Sequence, residues 1–372
     1  MERPLKHQKD SHPQRLDKVR AHIASKSLDG VILVPGPNLR YITGVASLLL
    51  ERPFLMFIPK DGSVHLVAPT LESGPYLRGP LEIVVHSWDD GEGPSSAFEE
   101  IVGQLALNGR WGLEGRVPFR FINQIMKHAH PQLEDAEPVL QGIREIKELG
   151  ETRLLQHAAS ILAKSFTKIP AMLKSGMTEM ELARRISQTI YSCGAEFVED
   201  ILVQSGKFGA DPHHLPSLRK LKRNESIVID TACSFSGYYA DITRTFIIGK
   251  DPKFEDLYEK VLASQEDAIR VSKGGTTVGA IDNAARNYLK EEGLDQYFIH
   301  RTGHGLGLEV HEAPYIVPGG NEVIKAGMVF TIEPGVYLPG KMGIRIEDDI
   351  LSTDRDCRNL TGTLPKQFEW WK

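Results

Sequence analysis

The stretch IVIDTACSFSGYYADITRTF, residues 227–246, decides the fold of this chain. Its two ends are rich in β-branched and apolar residues and its middle contains Ser and Gly, a pattern that predicts a β-hairpin. Each arm carries one acid, Asp230 and Asp241. With Phe235 and Ser236 as the loop residues, the two aspartates lie directly opposite each other, with Cβ atoms about 4.5–5.5 Å apart. Two like charges at that distance destabilise the hairpin unless something positive lies between them.

A second stretch, MVFTIEPGVYLPGKMGIRIEDDIL at residues 328–351, repeats this arrangement. Alternating and β-branched residues on both sides of Pro339-Gly340 predict another hairpin, and a loop centred on Gly340 sets Glu333 opposite Glu347. The segment HRTGHGLGLEVHE lies between the hairpins and adds three histidines among glycines: His300, His304 and His311. The chain thus offers carboxylates and imidazoles for a metal site, and a carboxylate-rich set with one imidazole suits Mn²⁺ and similarly hard ions.

Five potential metal ligands follow one another in these motifs: Asp230, Asp241, His304, Glu333 and Glu347. The set resembles the ligands of the pita-bread dinuclear metallopeptidases, a family that contains methionine aminopeptidase, aminopeptidase P, prolidase and the metal-free creatinase. PHH (residues 212–214), GYYADITRTF, HGLGLEVHE, TIEPGVY and GIRIED resemble the prolidase and aminopeptidase P branch. Ala232 departs from the pattern, because the family often has glycine at this position. The departure concerns local packing and not metal binding.

The resemblance implies a pair of divalent ions, with Asp241 and Glu347 bridging them, Asp230 on one ion, and His304 with Glu333 on the other. Mn²⁺ is the expected metal, with Co²⁺, Zn²⁺ or Fe²⁺ as alternatives. The ions would share a water or hydroxide that attacks the substrate carbonyl. The same resemblance implies three catalytic residues: His213, His311 and Glu333. The implied substrate contacts are His213, His300, His311, Tyr337 and Arg345.

Strands and helices alternate in the first part of the chain, which predicts an N-terminal α/β domain with a mixed sheet over residues 1–140. Its segment NLRYITG, residues 38–44, reads as a turn followed by core residues, and it is similar to a stretch in the N-terminal domain of prolidase, aminopeptidase P and creatinase. For residues 141–372 the periodicity predicts α+β structure, and the resemblance implies the pita-bread catalytic domain.

Four amphipathic helices are predicted in the second domain. The first continues from the interdomain connection and is interrupted at Gly150-Glu151. The second has Thr178 as its N-cap, and Glu181 completes a capping box. The other two are FEDLYEKVLASQEDAIRVSK and VGAIDNAARNYLKEEG.

Composition restricts the possible partners. With 372 residues, of which 41% are hydrophobic and 25% charged, the chain has the composition of a globular protein of about two domains. A formal net charge of −5 and a pI near 6.2 give no polyanion-binding signature, so nucleic acid is not an expected partner. The polar N-terminal sequence and the lack of a long apolar run predict a cytoplasmic protein that does not enter membranes. The cysteines show no metal-knuckle or redox-pair spacing.

The resemblance implies hydrolysis of the peptide bond that precedes proline, by a homodimer that acts on Xaa-Pro dipeptides or other proline-containing peptides. Prolidase and aminopeptidase P, which acts on longer peptides, both stay open at this point, because loops or a partner subunit beyond the proline pocket decide between them. Two remote alternatives are a metal-free creatinase-like amidinohydrolase and a non-catalytic binding protein on the same fold. The complete ligand set favours the metallopeptidase.

Overall fold

The computed structural model describes residues 11–367 and divides the chain into two compact units, residues 1–144 and 145–372. Among the described residues, no helix is both long and apolar enough to cross a membrane. Each unit has its own sheet system and its own apolar core.

The first unit is built on a six-stranded sheet. Its strands are β1 Gly30–Leu33, β2 Leu55–Pro59, β3 Val64–Pro69, β4 Ile83–Trp88, β5 Arg110–Leu113 and β6 Gln132–Asp135. The order across the sheet is β4-β3-β2-β1-β5-β6, and β2 runs antiparallel to both of its neighbours while the other pairs are parallel. The predicted mixed α/β sheet is therefore confirmed.

Six helices are described in residues 11–144: α1 His12–Ser25, α2 Pro37–Thr43, α3 Thr70–Leu77, α4 Ser95–Gln104, α5 Phe119–His128 and α6 Glu137–Arg144. Apolar residues of α4 and α5 pack with the central strands around Phe57 and Trp111, and this cluster is the core of the unit. A packed core of this kind buries the apolar face of the sheet from water.

Segment 38–44 is helical, so its interpretation as a turn was wrong. Pro37 occupies the first turn of α2, where its fixed φ and missing N–H are compatible with a helix, and Gly44 ends the helix at φ 72°. Helix α6 belongs to the same unit, because Tyr41 Oη donates to the carbonyl of Ile143 at 2.9 Å. The predicted division after residue 140 therefore falls within α6.

The second unit contains the four predicted amphipathic helices, which are α7 Leu149–Phe166, α8 Glu179–Ser192, α9 Pro252–Val271 and α10 Val278–Glu291. The capping box of α8 is confirmed, since Glu181 N–H donates to Thr178 Oγ1 at 3.1 Å and Thr178 N–H donates to Glu181 Oε2 at 2.8 Å. The predicted interruption is present, but it lies at residues 145–148 between α6 and α7 and not at Gly150-Glu151. Glu151 instead completes a capping box with Glu148 at the start of α7.

Two sheets and a separate hairpin make up the strands of the second unit. The strands are β7 Phe197–Val198, β8 Leu202–Ser205, β9 Ser226–Phe235, β10 Tyr238–Ile247, β11 Gly303–Gly305, β12 Glu312–Ile316, β13 Val329–Ile332, β14 Gly335–Leu338, β15 Met342–Arg345, β16 Asp348–Ser352 and β17 Cys357–Asn359. Strand β9 pairs with β10, β7 and β8, the order of the second sheet is β12-β11-β13-β16-β17, and β14 pairs with β15.

The β9–β10 hairpin has a register different from the predicted one. Asp230 pairs with Thr243 and Asp241 pairs with Ala232, so the two aspartates are diagonal neighbours on one face and do not lie directly opposite each other. The turn is Ser236-Gly237, with φ values of 49° and 79°. A tight hairpin turn of this type needs positive φ at both central residues, which glycine adopts and a phenylalanine at 235 would resist. The ladder continues through Ala232, so this departure from the family pattern leaves the hairpin intact.

The predicted loop centred on Gly340 is confirmed by the register of the strands around it. The β13–β16 and β14–β15 pairs have one common register, in which Ile332 pairs with Asp348 and Gly335 pairs with Arg345. This register, if continued, would set Glu333 opposite Glu347, but both glutamates lie outside the strands, in the interruption between these pairs. The Glu333 N–H donates to the carbonyl oxygen of Thr302, just before β11, at 2.8 Å. The Glu347 N–H donates to the carbonyl oxygen of Thr243 on β10 at 3.1 Å.

The alternation of side chains explains why acids gather on one face of these strands. Phe330 and Ile332 of β13 join the core formed with α9 and α10, as do Ile344 and Ile346 around β15. Side chains alternate between the faces of a strand, so the residues between and after these apolar ones, including Glu333, point to the other face.

Candidate metal centre

Three buried side chains meet at the candidate metal centre: Asp241, His304 and Glu347. Each offers one ligand atom, and these atoms lie within 4.8 Å of one another. Asp241 is on β10, His304 is on β11, and Glu347 precedes β16. The two hairpins and the histidine-containing segment therefore converge in space, although they are far apart in the sequence.

The other two predicted ligands adjoin this group. Glu333 Oε1 lies 3.3 Å from His304 Nε2. Asp230 lies on the same strand face as Asp241, and its charge contributes to raising the pKa of Asp241 after the larger effect of burial. The structure thus brings the five predicted ligands together, and their assignment as ligands stays a prediction.

The charges in this cluster favour the binding of a cation. Burial, followed by the charges of Asp230, Asp349 and Glu333, raises the pKa of Asp241 well above its usual value. Burial and then Asp241 raise the pKa of Glu347 in the same way, and burial raises the pKa of Glu333 to about 7. Divalent cations would relieve both the desolvation and the repulsion, so this donor set fits the metal ions that the sequence predicts.

His304 is oriented as a neutral metal ligand. Its Nδ1 lies 3.1 Å from the carbonyl oxygen of Gly305, which can only accept, so Nδ1 carries the hydrogen and Nε2 presents a lone pair. Burial, and then the neighbouring His311, lowers the pKa of His304 to about 3. The imidazole is therefore uncharged at neutral pH and ready to bind a cation.

Glycines on both sides of His304 allow this close packing. A Cβ on Gly303 would come within 1.9 Å of the carbonyl oxygen of Thr331, and one on Gly305 would come within 2.2 Å of the carbonyl oxygen of Ala313. Strand β11 lies between β12 and β13, so neither neighbour can withdraw without breaking its own pairing. The glycine-rich sequence around His304 is thus a packing requirement of the site.

Two threonines that the sequence interpretation missed orient the glutamates. Thr243 Oγ1 donates to Glu347 Oε2 at 2.6 Å, and Thr331 Oγ1 donates to Glu333 Oε1 at 3.2 Å. The spacing in the sequence could have indicated both threonines, because Thr243 stands two residues after Asp241 and Thr331 stands two residues before Glu333. Residues at that spacing lie on the same face of a strand.

His300, Tyr337 and Arg345, the predicted substrate contacts, form one chain of hydrogen bonds. Arg345 Nη1 donates to Tyr337 Oη at 2.8 Å, so the phenol hydrogen is directed to His300 Nε2, also at 2.8 Å. His300 Nδ1 then donates to the Arg301 carbonyl at 2.7 Å. Burial, and after it Arg345, lowers the pKa of His300 to about 4, which keeps the ring neutral.

Arg345 is committed to protein partners. Its side chain is 3% exposed, and besides Tyr337 it donates through Nη2 to Asp230 Oδ2 and through Nε to Thr243 Oγ1 at 3.2 Å. A substrate contact for Arg345 stays a prediction. The hydrogen bonds show that the guanidinium orients the Asp230 carboxylate.

His213 lies on an exposed loop. Hydrogen bonds to Glu179, a residue that the sequence interpretation missed, hold this loop in place. Glu179 is fully buried at the start of α8 and accepts hydrogen bonds from the backbone and hydroxyl groups of Ser205 and Ser217. His214 Nε2 lies 3.2 Å from the same carboxylate, so His214 is an anchor of the loop. His213 itself keeps an exposed side chain.

His311 lies beside the metal centre, with its ring centroid 4.1 Å from that of His304. Burial, and next the charge of Arg301, lowers the pKa of His311. Arg301 was also missed, although it stands between two histidines of the sequence motif. Its guanidinium carbon lies 4.5 Å from the centroid of the Tyr315 ring.

Comparison with known families agrees with this geometry. The model of metallopeptidase family M24 matches residues 153–354, and the model of the creatinase/prolidase N-terminal domain matches residues 15–146. The chain belongs to metallopeptidase family M24. It is therefore an enzyme, a peptidase of the M24 type, and the predicted two-part fold with a pita-bread catalytic domain is confirmed.

Relatives of this M24 peptidase match along nearly its whole length. The probable dipeptidase PepE of Mycobacterium tuberculosis is 34% identical over 352 residues, which are 92% of each chain. Among solved structures, a prolidase from Thermococcus sibiricus is 36% identical, with a TM-score of 0.88 and coverage of 94% and 96% of the two chains. A dipeptidase from Pyrococcus horikoshii OT3 is 35% identical, with a TM-score of 0.89 and coverage of 93% and 97%.

Proposed function

We propose that this M24 peptidase hydrolyses the bond preceding proline in Xaa-Pro dipeptides. The observation that carries the proposal is the convergence of Asp241, His304 and Glu347, whose ligand atoms lie within 4.8 Å of one another. The dipeptidase and prolidase relatives support a dipeptide substrate.

The donor set supports the metal assignment. Asp230, Asp241, His304, Glu333 and Glu347 would together hold two divalent ions. Bound divalent cations supply Lewis acidity and lower the pKa of water. We propose Mn²⁺ as the metal, with Co²⁺, Zn²⁺ or Fe²⁺ as alternatives, because four carboxylates and one imidazole make a mostly hard donor set.

Glu333 is the proposed proton carrier. A carboxylate at the reacting centre can take a proton from the attacking water and pass it to the leaving nitrogen. The leaving nitrogen of an Xaa-Pro bond is a secondary amine, which departs readily only after protonation. Glu333 lies 3.3 Å from His304 and therefore at the reacting centre.

His213 and His311 are the proposed hydrogen-bond donors to the carbonyl oxygen as negative charge builds on it. They approach from separate elements, since His213 is on the loop held by Glu179 and His311 packs against His304 at 4.1 Å. His300 and Tyr337, linked at 2.8 Å, are proposed as the wall of the prolyl pocket.

The test is metal-dependent turnover. Protein stripped with a chelator is assayed on Ala-Pro before and after addition of Mn²⁺ or Co²⁺, with Asp241→Asn as the matched inactive variant. The proposal predicts activity only in metal-loaded wild-type protein. Absence of metal-dependent turnover would refute it, activity without bound metal would favour the creatinase-like alternative, and binding without turnover would favour the non-catalytic one.

Aminopeptidase P is the alternative within the same chemistry. A faster rate on Xaa-Pro-Yaa-Yaa peptides than on Xaa-Pro would favour it over a dipeptidase. We also propose a homodimer, on the family resemblance, which sedimentation analysis tests directly. A cytoplasmic location is proposed because all three cysteines are free, as expected in a reducing compartment.

A further inference from the structure

A dipeptide presents a free carboxylate on the residue after the scissile bond, and the site needs a cation to recognise it. Arg345, the arginine predicted for that end of the substrate, is buried, and its hydrogen bonds go to Asp230, Tyr337 and Thr243. Moving it to a substrate would leave Asp230 without its partner. A dipeptide end group is therefore better matched by another cation at the site.

Arg301 is a cation in a suitable place. Within residues 11–367, no carboxylate and no hydrogen-bond acceptor pairs with its guanidinium group, and the side chain is only partly buried. Its charge reaches the reacting centre, since it follows burial among the causes that lower the pKa of His311, and it also acts on Glu333 and His304.

Tyr315 holds the guanidinium in a defined orientation. The guanidinium carbon of Arg301 lies 4.5 Å from the centroid of the Tyr315 ring, a stacking distance for a planar cation. Tyr315 pairs with His304 across the β11–β12 ladder, and paired residues point to the same face of a sheet. The stacked arginine therefore lies on the face that carries the candidate metal ligand His304.

We propose that Arg301, stacked on Tyr315, binds the C-terminal carboxylate of an Xaa-Pro dipeptide and makes this enzyme a dipeptidase. The inference rests on the proposed Xaa-Pro hydrolysis. A planar guanidinium matches a carboxylate with two parallel hydrogen bonds, and no acceptor within residues 11–367 occupies the N–H groups of Arg301. A longer peptide has no carboxylate at this position and loses the contact.

Ala-Pro and Ala-Pro amide test the proposal, because they differ only in the terminal charge. Wild-type enzyme, Arg301→Gln, Arg301→Lys and the control Arg355→Gln are loaded with Mn²⁺ and assayed on both. Arg355 is an exposed arginine between β16 and β17, away from the metal ligands in sequence. We expect wild-type kcat/KM to favour the acid over the amide by about 10- to 100-fold, the range of a charge-assisted hydrogen bond.

In Arg301→Gln the ratio of kcat/KM for Ala-Pro to that for Ala-Pro amide falls toward about 1, mainly through a rise in KM for Ala-Pro. Arg301→Lys keeps an intermediate ratio, because lysine retains the charge but cannot form two parallel hydrogen bonds. Arg355→Gln keeps the wild-type ratio. A ratio that Arg301→Gln does not change overturns the inference alone. Glu-Pro is assayed as a third substrate. If Arg301→Gln loses activity on Glu-Pro but not on Ala-Pro, the inference is also overturned, because Arg301 would then bind an acidic Xaa side chain. No wild-type turnover of either compound overturns the proposed function as well.

Discussion

Replacing Glu179 with glutamine tests how the loop that carries His213 is held. One carboxylate oxygen of Glu179 accepts the Ser205 N–H at 2.9 Å and its hydroxyl, and the other accepts the Ser217 N–H at 3.1 Å and its hydroxyl at 2.7 Å. A glutamine has one accepting oxygen, so its amide nitrogen must face one of the two backbone N–H groups. A hydroxyl can reverse its hydrogen bond, but a backbone N–H cannot.

One buried N–H left unpaired costs about 1–3 kcal/mol, which is the expected loss in the free energy of unfolding for Glu179→Gln. Urea unfolding of metal-free protein at pH 7, followed by circular dichroism, measures this loss. Glu181→Gln is the matched control, because Glu181 is exposed in the same helix turn and glutamine also completes a capping box. Loss of the loop position should also lower kcat/KM on Ala-Pro in Glu179→Gln, with Glu181→Gln unaffected.

The pH dependence of this loss has a defined sign. Burial alone would raise the pKa of Glu179, but hydrogen bonds from Ser205 and Ser217 outweigh it and hold the pKa below its usual value. Stability from such a group is present above the unfolded pKa of about 4.3 and is lost as pH falls through the folded value. The groups facing the carboxylate include His214 and, through the Ser205 hydroxyl, Arg219. Equal stability of Glu179→Gln and wild type at pH 7, or a difference that grows below about pH 4, would refute this reasoning.

Three further predictions concern the turn, a buried ion pair and the metal. Gly237→Ala should destabilise the protein by about 1–2 kcal/mol, because φ is 79° there, whereas Gly150→Ala at an open position of α7 should not; thermal unfolding compares them. Lys147→Met should cost about 3–5 kcal/mol by leaving buried Glu312 without its 2.7 Å ion pair, with partial recovery in the double variant with Glu312→Gln. Chelation should lower the melting temperature, and Mn²⁺ affinity should weaken between about pH 8 and pH 6, because the carboxyl of Glu333, with a pKa of about 7, takes up a proton.

Each of these outcomes has a clear opposite. Gly237→Ala with wild-type stability would mean that the turn does not need its left-handed residue. A double variant less stable than Lys147→Met would contradict the cost assigned to the lost ion pair between Lys147 and Glu312. Calorimetry in two buffers that detects no proton uptake or release on Mn²⁺ binding would contradict the competition at Glu333.

Much of the site was readable from the sequence, because acids and histidines in alternating strand patterns fix both the residue types and the faces they occupy. The loop centred on Gly340 was predicted from the sequence, and the structure shows the corresponding register on both sides of Glu333 and Glu347. The β9–β10 register was missed by one position at the turn. The positive φ that Ser236 accepts decides that register, and composition alone did not reveal it.

Other features depend on contacts between segments that are distant in the chain. Glu179 looks like an ordinary first-turn acid until Ser205 and Ser217 are brought to it. The sequence around Arg345 shows no partner for its guanidinium group. The structure shows that it donates a hydrogen bond to Asp230, 115 residues away in sequence. Local sequence patterns do not show such partners, and for that reason the sequence interpretation missed Glu179 and the hydrogen bonds of Arg345.

The central claim is that the five predicted ligands hold two metal ions. Anomalous diffraction at the manganese absorption edge, from crystals of the Mn²⁺-loaded protein, tests it most directly. We predict two peaks about 3.5–4 Å apart, both in contact with Asp241 and Glu347. Absence of both peaks, or peaks that lie away from Asp241, His304 and Glu347, would contradict the account.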